Sequence, residues 1–159
     1  MAIGLPGSGK TTLLKKAAKR YDLTYISRDD IREEMLGDAL VQSANKQVWQ
    51  EANRKTIAAL KSGRGVVLDS CFVEAWKRKD AIALLRESGA DRVIAVFFNV
   101  SIEISKERNL KRKYVVPNRA IDWMYERLKE HPPSKDEGFD ALYTVDKTEE
   151  FERMELAHG

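Results

Sequence analysis

The stretch Gly4-Leu5-Pro6-Gly7-Ser8-Gly9-Lys10-Thr11 fills every fixed position of the pattern G-x-x-x-x-G-K-[S/T]. Each residue type in it has a physical reason. Successive backbone N–H groups turned inward form a nest for anionic oxygens, and Gly4, Gly7 and Gly9 permit dihedrals that a Cβ would obstruct. A helix predicted from Lys10 to Tyr21 then starts with its positive dipole end at the same oxygens. Lys10 has the reach for the β- and γ-phosphates of a nucleotide, Thr11 sets a hydroxyl where magnesium would sit, and Ser8 and Thr12 complete the cradle. The strand that should lead into this loop is reduced to Met1, Ala2 and Ile3, against about five residues for an ordinary strand.

Outward from the loop, strand-like and helix-like segments alternate. Leu23–Ser27, Gly65–Asp69 and Arg92–Phe98 are short, apolar without alternation, and rich in β-branched and aromatic residues, as expected of strands covered on both faces. Ala141–Val145 is a weaker fourth. Helical spacing of apolar residues recurs over Gln42–Lys61, Ala75–Ser88 and Asn118–His131. This order predicts an α/β fold in which a parallel sheet of about four to five strands carries helices on both faces. Trp49, Trp76 and Trp123 fall at helical positions and are expected in the core rather than stacked on a ligand.

Length and composition bound what else the chain can be. Its 159 residues, 43% hydrophobic and 33% charged, fit a single domain over 1–159. A chain of this size buries roughly two thirds of its unfolded surface without needing disulfides or a structural metal. The lone cysteine, Cys71, is expected buried or half-buried and fits a reducing compartment; no apolar run has the length of a membrane span and no secretory signal opens the chain, so a cytoplasmic protein with no membrane partner is expected. Two histidines, His131 and His158, are too few for a catalytic triad or a zinc cluster. The net charge of +3 is uneven: Lys106–Lys113 holds five bases and one acid, and Thr148–Leu156 holds four acids and one arginine.

The residues after the second strand bear on chemistry. Ser27-Arg28-Asp29-Asp30-Ile31-Arg32 follows a strand whose carboxyl end faces the nucleotide crevice in a fold of this kind. A carboxylate there can take a proton from an attacking hydroxyl, and an arginine one turn later can hold an anionic acceptor. The same spacing equally fits a plain helix start, with Asp29 as N-cap and Arg28 and Arg32 as exposed charges. Asp69 ends the apolar strand GVVLD, where it can hold the hydration shell of magnesium or cap a turn.

At this point the sequence resembles the polynucleotide 5′-hydroxyl kinases, the end-healing kinases of phage and of animal DNA repair, within the wider P-loop kinases. The matching elements are G-L-P-G-S-G-K-T-T, R-D-D-x-x-R, L-D-S after the third strand, R-N-L-K-R running into V-V-P, and E-G-F-D before the last strand. They run in order from about Ile3 to Val145.

The resemblance implies ATP-dependent transfer of the γ-phosphate to a 5′-hydroxyl end of DNA or RNA, with ATP and Mg2+ as cofactors. It makes Asp29 the general base, puts Arg32 on the acceptor phosphate, and sets Lys10 and Arg112 on the donor phosphates. Arg108 would lie one turn before Arg112 on the same face of an arginine-bearing helical lid at about 101–117, while Thr11 and Asp69 would serve the metal. The second, phosphatase domain of the phage enzymes has no counterpart here, so a separate phosphatase or ligase partner is expected, and the acidic tail at about 146–159 stands apart. A small-molecule kinase acting on a sugar, nucleoside or antibiotic hydroxyl is the alternative. A nucleotide-binding switch protein is less well served, because no switch signature accompanies the lid arginine.

Overall fold

In the computed structural model, which describes residues 1–41 and 43–146, β1 (Ala2–Gly4) runs parallel to β4 (Ile94–Phe98), and β4 runs parallel to β5 (Ala141–Val145). β2 (Thr24–Ser27) and β3 (Val66–Asp69) form a second parallel ladder. The two ladders meet where the Gly4 N–H donates to the Cys71 carbonyl at 3.0 Å, which ties the end of β1 to the chain just past β3. The α/β fold with a parallel sheet is thus as expected. β1 keeps only three residues yet all three are buried, so its brevity is offset by burial on both faces.

Helices cover both faces of the sheet. α1 (Lys10–Arg20) packs Leu13, Leu14, Ala17 and Ala18 against Ala2, Val67, Val96 and Val145 on one side. On the other, α2 (Arg28–Leu36), α3 (Asn45–Lys61), α4 (Ala75–Glu87) and α6 (Asn118–Glu130) enclose Ile3, Ile26, Leu68 and Ala95. Ile121 of α6 is fully buried, a placement worth about 1.5–3 kcal/mol relative to exposure. α3 begins at Asn45 rather than at the expected Gln42, which lies outside the described residues. The expected acidic tail also falls outside them beyond Asp146.

Two of the three tryptophans depart from expectation. Trp76 and Trp123 are 58% and 47% exposed, because each stands on the outward face of its helix while Ile82 and Leu85, or Ile121 and Leu128, take the core. Lys77 lies 5.1 Å from the Trp76 ring and Arg127 6.0 Å from Trp123, a way of covering an aromatic face without burying it.

The segment before β5 is anchored by charge. Arg78 of α4 is fully buried and makes hydrogen bonds to both carboxylate oxygens of Glu137 at 2.6 Å, to the carbonyls of Phe72 and Val73 at 3.0 and 3.2 Å, and to the His131 carbonyl at 2.9 Å. Glu137 sits in a short 3-10 turn, Lys135–Glu137, that follows α6. A little further on, Asp140 accepts from the Val93 N–H at 2.6 Å and from Arg86 at 2.5 Å. The backbone hydrogen bond, more than Arg86, holds the Asp140 carboxyl below its ordinary range.

Candidate active site

The loop between β1 and α1 has the geometry its sequence demands. Gly9 adopts φ 95°, a left-handed conformation, as the residue that opens α1. Gly7, at φ +82°, also passes close beneath the chain that follows β4: a Cβ there would stand 2.2 Å from the Ser105 carbonyl oxygen. Lys10 is buried and folded back, its Nζ donating to the Leu5 carbonyl at 2.6 Å and to Ser8 Oγ at 3.5 Å. To meet a phosphate, this ammonium exchanges those partners for phosphate oxygens.

Thr11, Asp69 and Tyr25 form the polar floor beside the loop. The Thr11 hydroxyl donates to Asp69 Oδ2 at 2.6 Å, and the Tyr25 hydroxyl donates to the same oxygen at 2.5 Å. Burial first, and the Asp69 charge second, push the Tyr25 hydroxyl pKa well up, so it stays a donor. Thr11 and Asp69, expected at a metal, thus place two oxygens side by side, a set compatible with Mg2+, which takes one or two protein oxygens and completes its shell with water and phosphate. Among the described residues no cluster of three or more His, Cys, Asp or Glu offers a closed metal cage.

α2 carries the residues expected to face an acceptor. The register pairs Ser27 with Asp69, so the helix that starts after Ser27 begins beside the floor carboxylate. Ser27 is the N-cap, its hydroxyl accepting from the Asp30 N–H at 3.2 Å. The plain reading, with Asp29 as cap and Arg28 and Arg32 in solvent, is thereby corrected: capping by Ser27 turns the Asp29 carboxylate out into the cleft, where its side chain is 59% exposed. Arg32 is buried, donating from Nη1 to Asp29 Oδ1 at 2.9 Å and to the Ala39 carbonyl at 3.1 Å, and from Nη2 to Asn45 Oδ1 at 3.0 Å.

The lid differs in shape from the expected helix. α5 (Ile102–Asn109) carries Arg108 in its last turn, but Arg112 lies beyond the helix end, in a loop. Asn109 terminates the helix because its side chain pairs with the far end of that loop: Nδ2 donates to the Val116 carbonyl at 2.8 Å and Oδ1 accepts from the Val116 N–H at 3.1 Å. The loop so closed reaches α2. Arg112 Nη2 stands 3.7 Å from Asp29 Oδ2, Lys113 pairs with Glu33, and the Tyr114 hydroxyl approaches the Gly37 carbonyl at 3.5 Å. Lys106 instead bonds Asp122 of α6 at 2.5 Å, so the basic run is divided between cleft and scaffold.

One cleft of about 930 Å3 therefore gathers Lys10, Thr11, Asp29, Arg32, Asp69 and Arg112. Thr12, Gly7, Gly9 and Arg108 line it as well. Gly4 and Ser8 do not: Gly4 ends β1, and Ser8 is wholly buried inside the loop. The sequence reading missed several contributors. Asn45 orients Arg32, Asn109 closes the lid loop, and Tyr25 fixes Asp69. Arg28, half-buried, lies with its Cζ 3.9 Å from the Trp49 ring centroid and 5.5 Å from that of Phe72. Only Tyr25 carried a signal, as the polar aromatic of a strand that ends at the crevice; the others need the tertiary register.

The fold and this cleft define a P-loop kinase. More particularly, the chain belongs to the AAA domain family (AAA_33), whose profile matches residues 1–131. It is similar to the cytidylate kinase of Methanocaldococcus jannaschii, 27% identical over 151 residues, covering 90% of this chain and 78% of that one. It is also similar to the L-seryl-tRNA(Sec) kinase of Methanococcus maripaludis, 26% identical over 96% of this chain and 60% of the other. Among solved structures, a chain of the Pnkp1/Rnl/Hen1 RNA repair complex shares the fold with a TM-score of 0.73 at 23% identity, over 87% of this chain and 45% of that one. A gluconokinase from Sinorhizobium meliloti does so with a TM-score of 0.59 at 20% identity, over 96% and 83%. No described helix is long and apolar enough to cross a membrane.

Proposed function

We propose that this kinase uses ATP to phosphorylate the 5′-terminal hydroxyl of a DNA or RNA strand, with Asp29 as the general base. The observation that carries the reading is the Asp29 carboxylate, open to the cleft, held on one oxygen by Arg32 and faced on the other by Arg112, beside a phosphate-binding loop. A carboxylate so held suits proton removal from an alcohol, a step worth about 10²–10⁴-fold in rate.

In this mechanism the loop amides and Lys10 hold the β- and γ-phosphates, and Arg112 turns from Asp29 to the transferring phosphoryl group as its charge spreads. Asp29 accepts the hydroxyl proton as the oxygen attacks in line. Thr11 and Asp69 would hold Mg2+, whose contribution when bound is to neutralise the donor phosphates. The acceptor enters past exposed Trp123, Arg119 and Lys113 on the rim, an aromatic and basic border of the kind that accommodates a nucleobase and its phosphates.

Transfer of labelled γ-phosphate to a 5′-OH oligonucleotide tests the reading. Wild type is expected to label the strand, and Asp29→Ala to lose about 10²–10⁴-fold in kcat with nucleotide binding retained. Absence of label in wild type, or full activity of Asp29→Ala, ends it. A second reading, a kinase for a small polyol or sugar hydroxyl, has support from the likeness to the gluconokinase over 96% of this chain. In that case gluconate or a similar polyol is labelled and oligonucleotides neither compete nor show salt-dependent affinity.

A further inference from the structure

Transfer by the groups named above makes no use of the Tyr25 hydroxyl, which the fold nevertheless delivers to a buried carboxylate of the cleft, Asp69. β2 and β3 pair Tyr25 with Val67 and Ser27 with Asp69, and residues two apart in a strand share a face. The Tyr25 ring accordingly packs against the cluster under α1 that holds Val67, while its hydroxyl reaches Asp69 Oδ2 at 2.5 Å. Lys15 of α1 covers the ring, its Nζ 5.3 Å from the centroid. The Ser27 hydroxyl adds a hydrogen bond to the Tyr25 hydroxyl, so the N-cap of α2 and the floor carboxylate are joined through this one phenol.

Two hydroxyls, of Thr11 at 2.6 Å and of Tyr25 at 2.5 Å, thus converge on a single oxygen of Asp69. A competing partner stands near. Arg28 is close enough to attract Asp69, and its Nε is buried with no hydrogen-bond partner. A charge-assisted hydrogen bond to a guanidinium is stronger than one from a neutral hydroxyl, yet Asp69 is seated on the hydroxyls, beside the phosphate loop. Hydrogen bonds to a ligating carboxylate fix its orientation, and losing one costs about tenfold to a hundredfold in metal affinity. We propose that Tyr25 is a positioning residue whose hydroxyl keeps the Asp69 carboxylate turned to Thr11 and so sets how tightly the site holds its divalent cation. This rests on Thr11 and Asp69 as the residues that would hold Mg2+, and it is independent of which hydroxyl compound accepts the phosphate.

Metal binding read apart from turnover tests the assignment. Mn2+, a paramagnetic stand-in for Mg2+, is titrated with EPR detection into ADP held by excess protein, for wild type, Tyr25→Phe, Asp69→Asn and the double variant. Tyr25→Phe keeps the ring and lacks only the oxygen. It is expected to weaken Mn2+ binding about tenfold to a hundredfold, while ADP binds as in wild type once EDTA removes the metal. Because Tyr25 acts through Asp69, its loss adds nothing in the Asp69→Asn background, and the double variant matches Asp69→Asn alone. Mn2+ held by Tyr25→Phe as tightly as by wild type overturns the proposal. So does a Tyr25→Phe effect that persists undiminished beside Asp69→Asn, or a Tyr25→Phe protein that fails to fold or to bind ADP in EDTA, since either makes Tyr25 a packing residue only. Wild-type Mn2+ affinity in Asp69→Asn would overturn the metal assignment and the proposal with it. A missing γ-phosphate transfer to oligonucleotides would count against the acceptor reading alone.

Discussion

Arg78 carries its charge wholly into the interior, where Glu137 receives it through two hydrogen bonds and three backbone carbonyls take the remaining donors. Such a pair adds little stability over an apolar pair of the same shape, yet breaking it strands a buried charge. Arg78→Met is therefore expected to destabilise by about 3–5 kcal/mol in urea unfolding, and Arg78→Met combined with Glu137→Leu to recover a large part of that loss. A single-variant cost below about 1 kcal/mol would refute the account. At this scale the sequence was uneven in what it disclosed. The places of Lys10 and Thr11 in the cleft were legible from short local spacing, whereas Asp29 needed the resemblance, since its spacing equally fits a plain helix start. Arg78 and Glu137 were not, since 59 residues separate them and nothing in either neighbourhood names the other. The same holds for Arg28, whose partners Trp49 and Phe72 come from different elements.

Among the elements, the lid shows most clearly where sequence periodicity loses its grip. Five bases in Lys106–Lys113 read as a continuous helix face, but Asn109 offers an amide that mimics a backbone pair, and Val116 takes it. The helix ends there, and Arg112 leaves the face it was expected to share with Arg108. Asn and Asp side chains compete with the backbone in this way wherever a nearby peptide can answer them. Asn109→Ala leaves both Val116 groups without their partner, so amide exchange across residues 110–116 is expected to rise at least about tenfold, with a global cost of about 1–3 kcal/mol. Exchange no faster than wild type in that loop would show that other contacts close it. The strands and the helices behind them were read correctly in kind because parallel strands covered on both faces are continuously apolar. Most of their ends moved by one or two residues, while α3 starts three residues later than expected, at Asn45.

Taken whole, the molecule builds its cleft from two stretches of chain. The sheet, α1 and α2 carry the phosphate loop, Asp69 and Asp29; the chain from α5 onward carries Arg108 and Arg112 across the opening. The exposure of Trp76 and Trp123 also belongs to this scale, because amphipathic spacing tells which residues share a face but not which face meets the rest of the protein. The loop after α5 meets α2 through Lys113 with Glu33 and Arg112 with Asp29, both salt-screened pairs of side chains that are not fully buried.

The Arg112–Asp29 approach sets a timetable. A single guanidinium cannot face the carboxylate at 3.7 Å and also attend the γ-phosphate, so in the proposed mechanism nucleotide arrival would vacate the second oxygen of Asp29 for a hydroxyl. In the proposed mechanism substrates are then expected in compulsory order, donor before acceptor. Initial-velocity and isotope-trapping kinetics should find that order in wild type and random addition, with a lower kcat, in Arg112→Ala. Acceptor trapped productively before any nucleotide has bound would contradict it. In that order the bound donor waits in the open cleft, in reach of water, until the acceptor arrives.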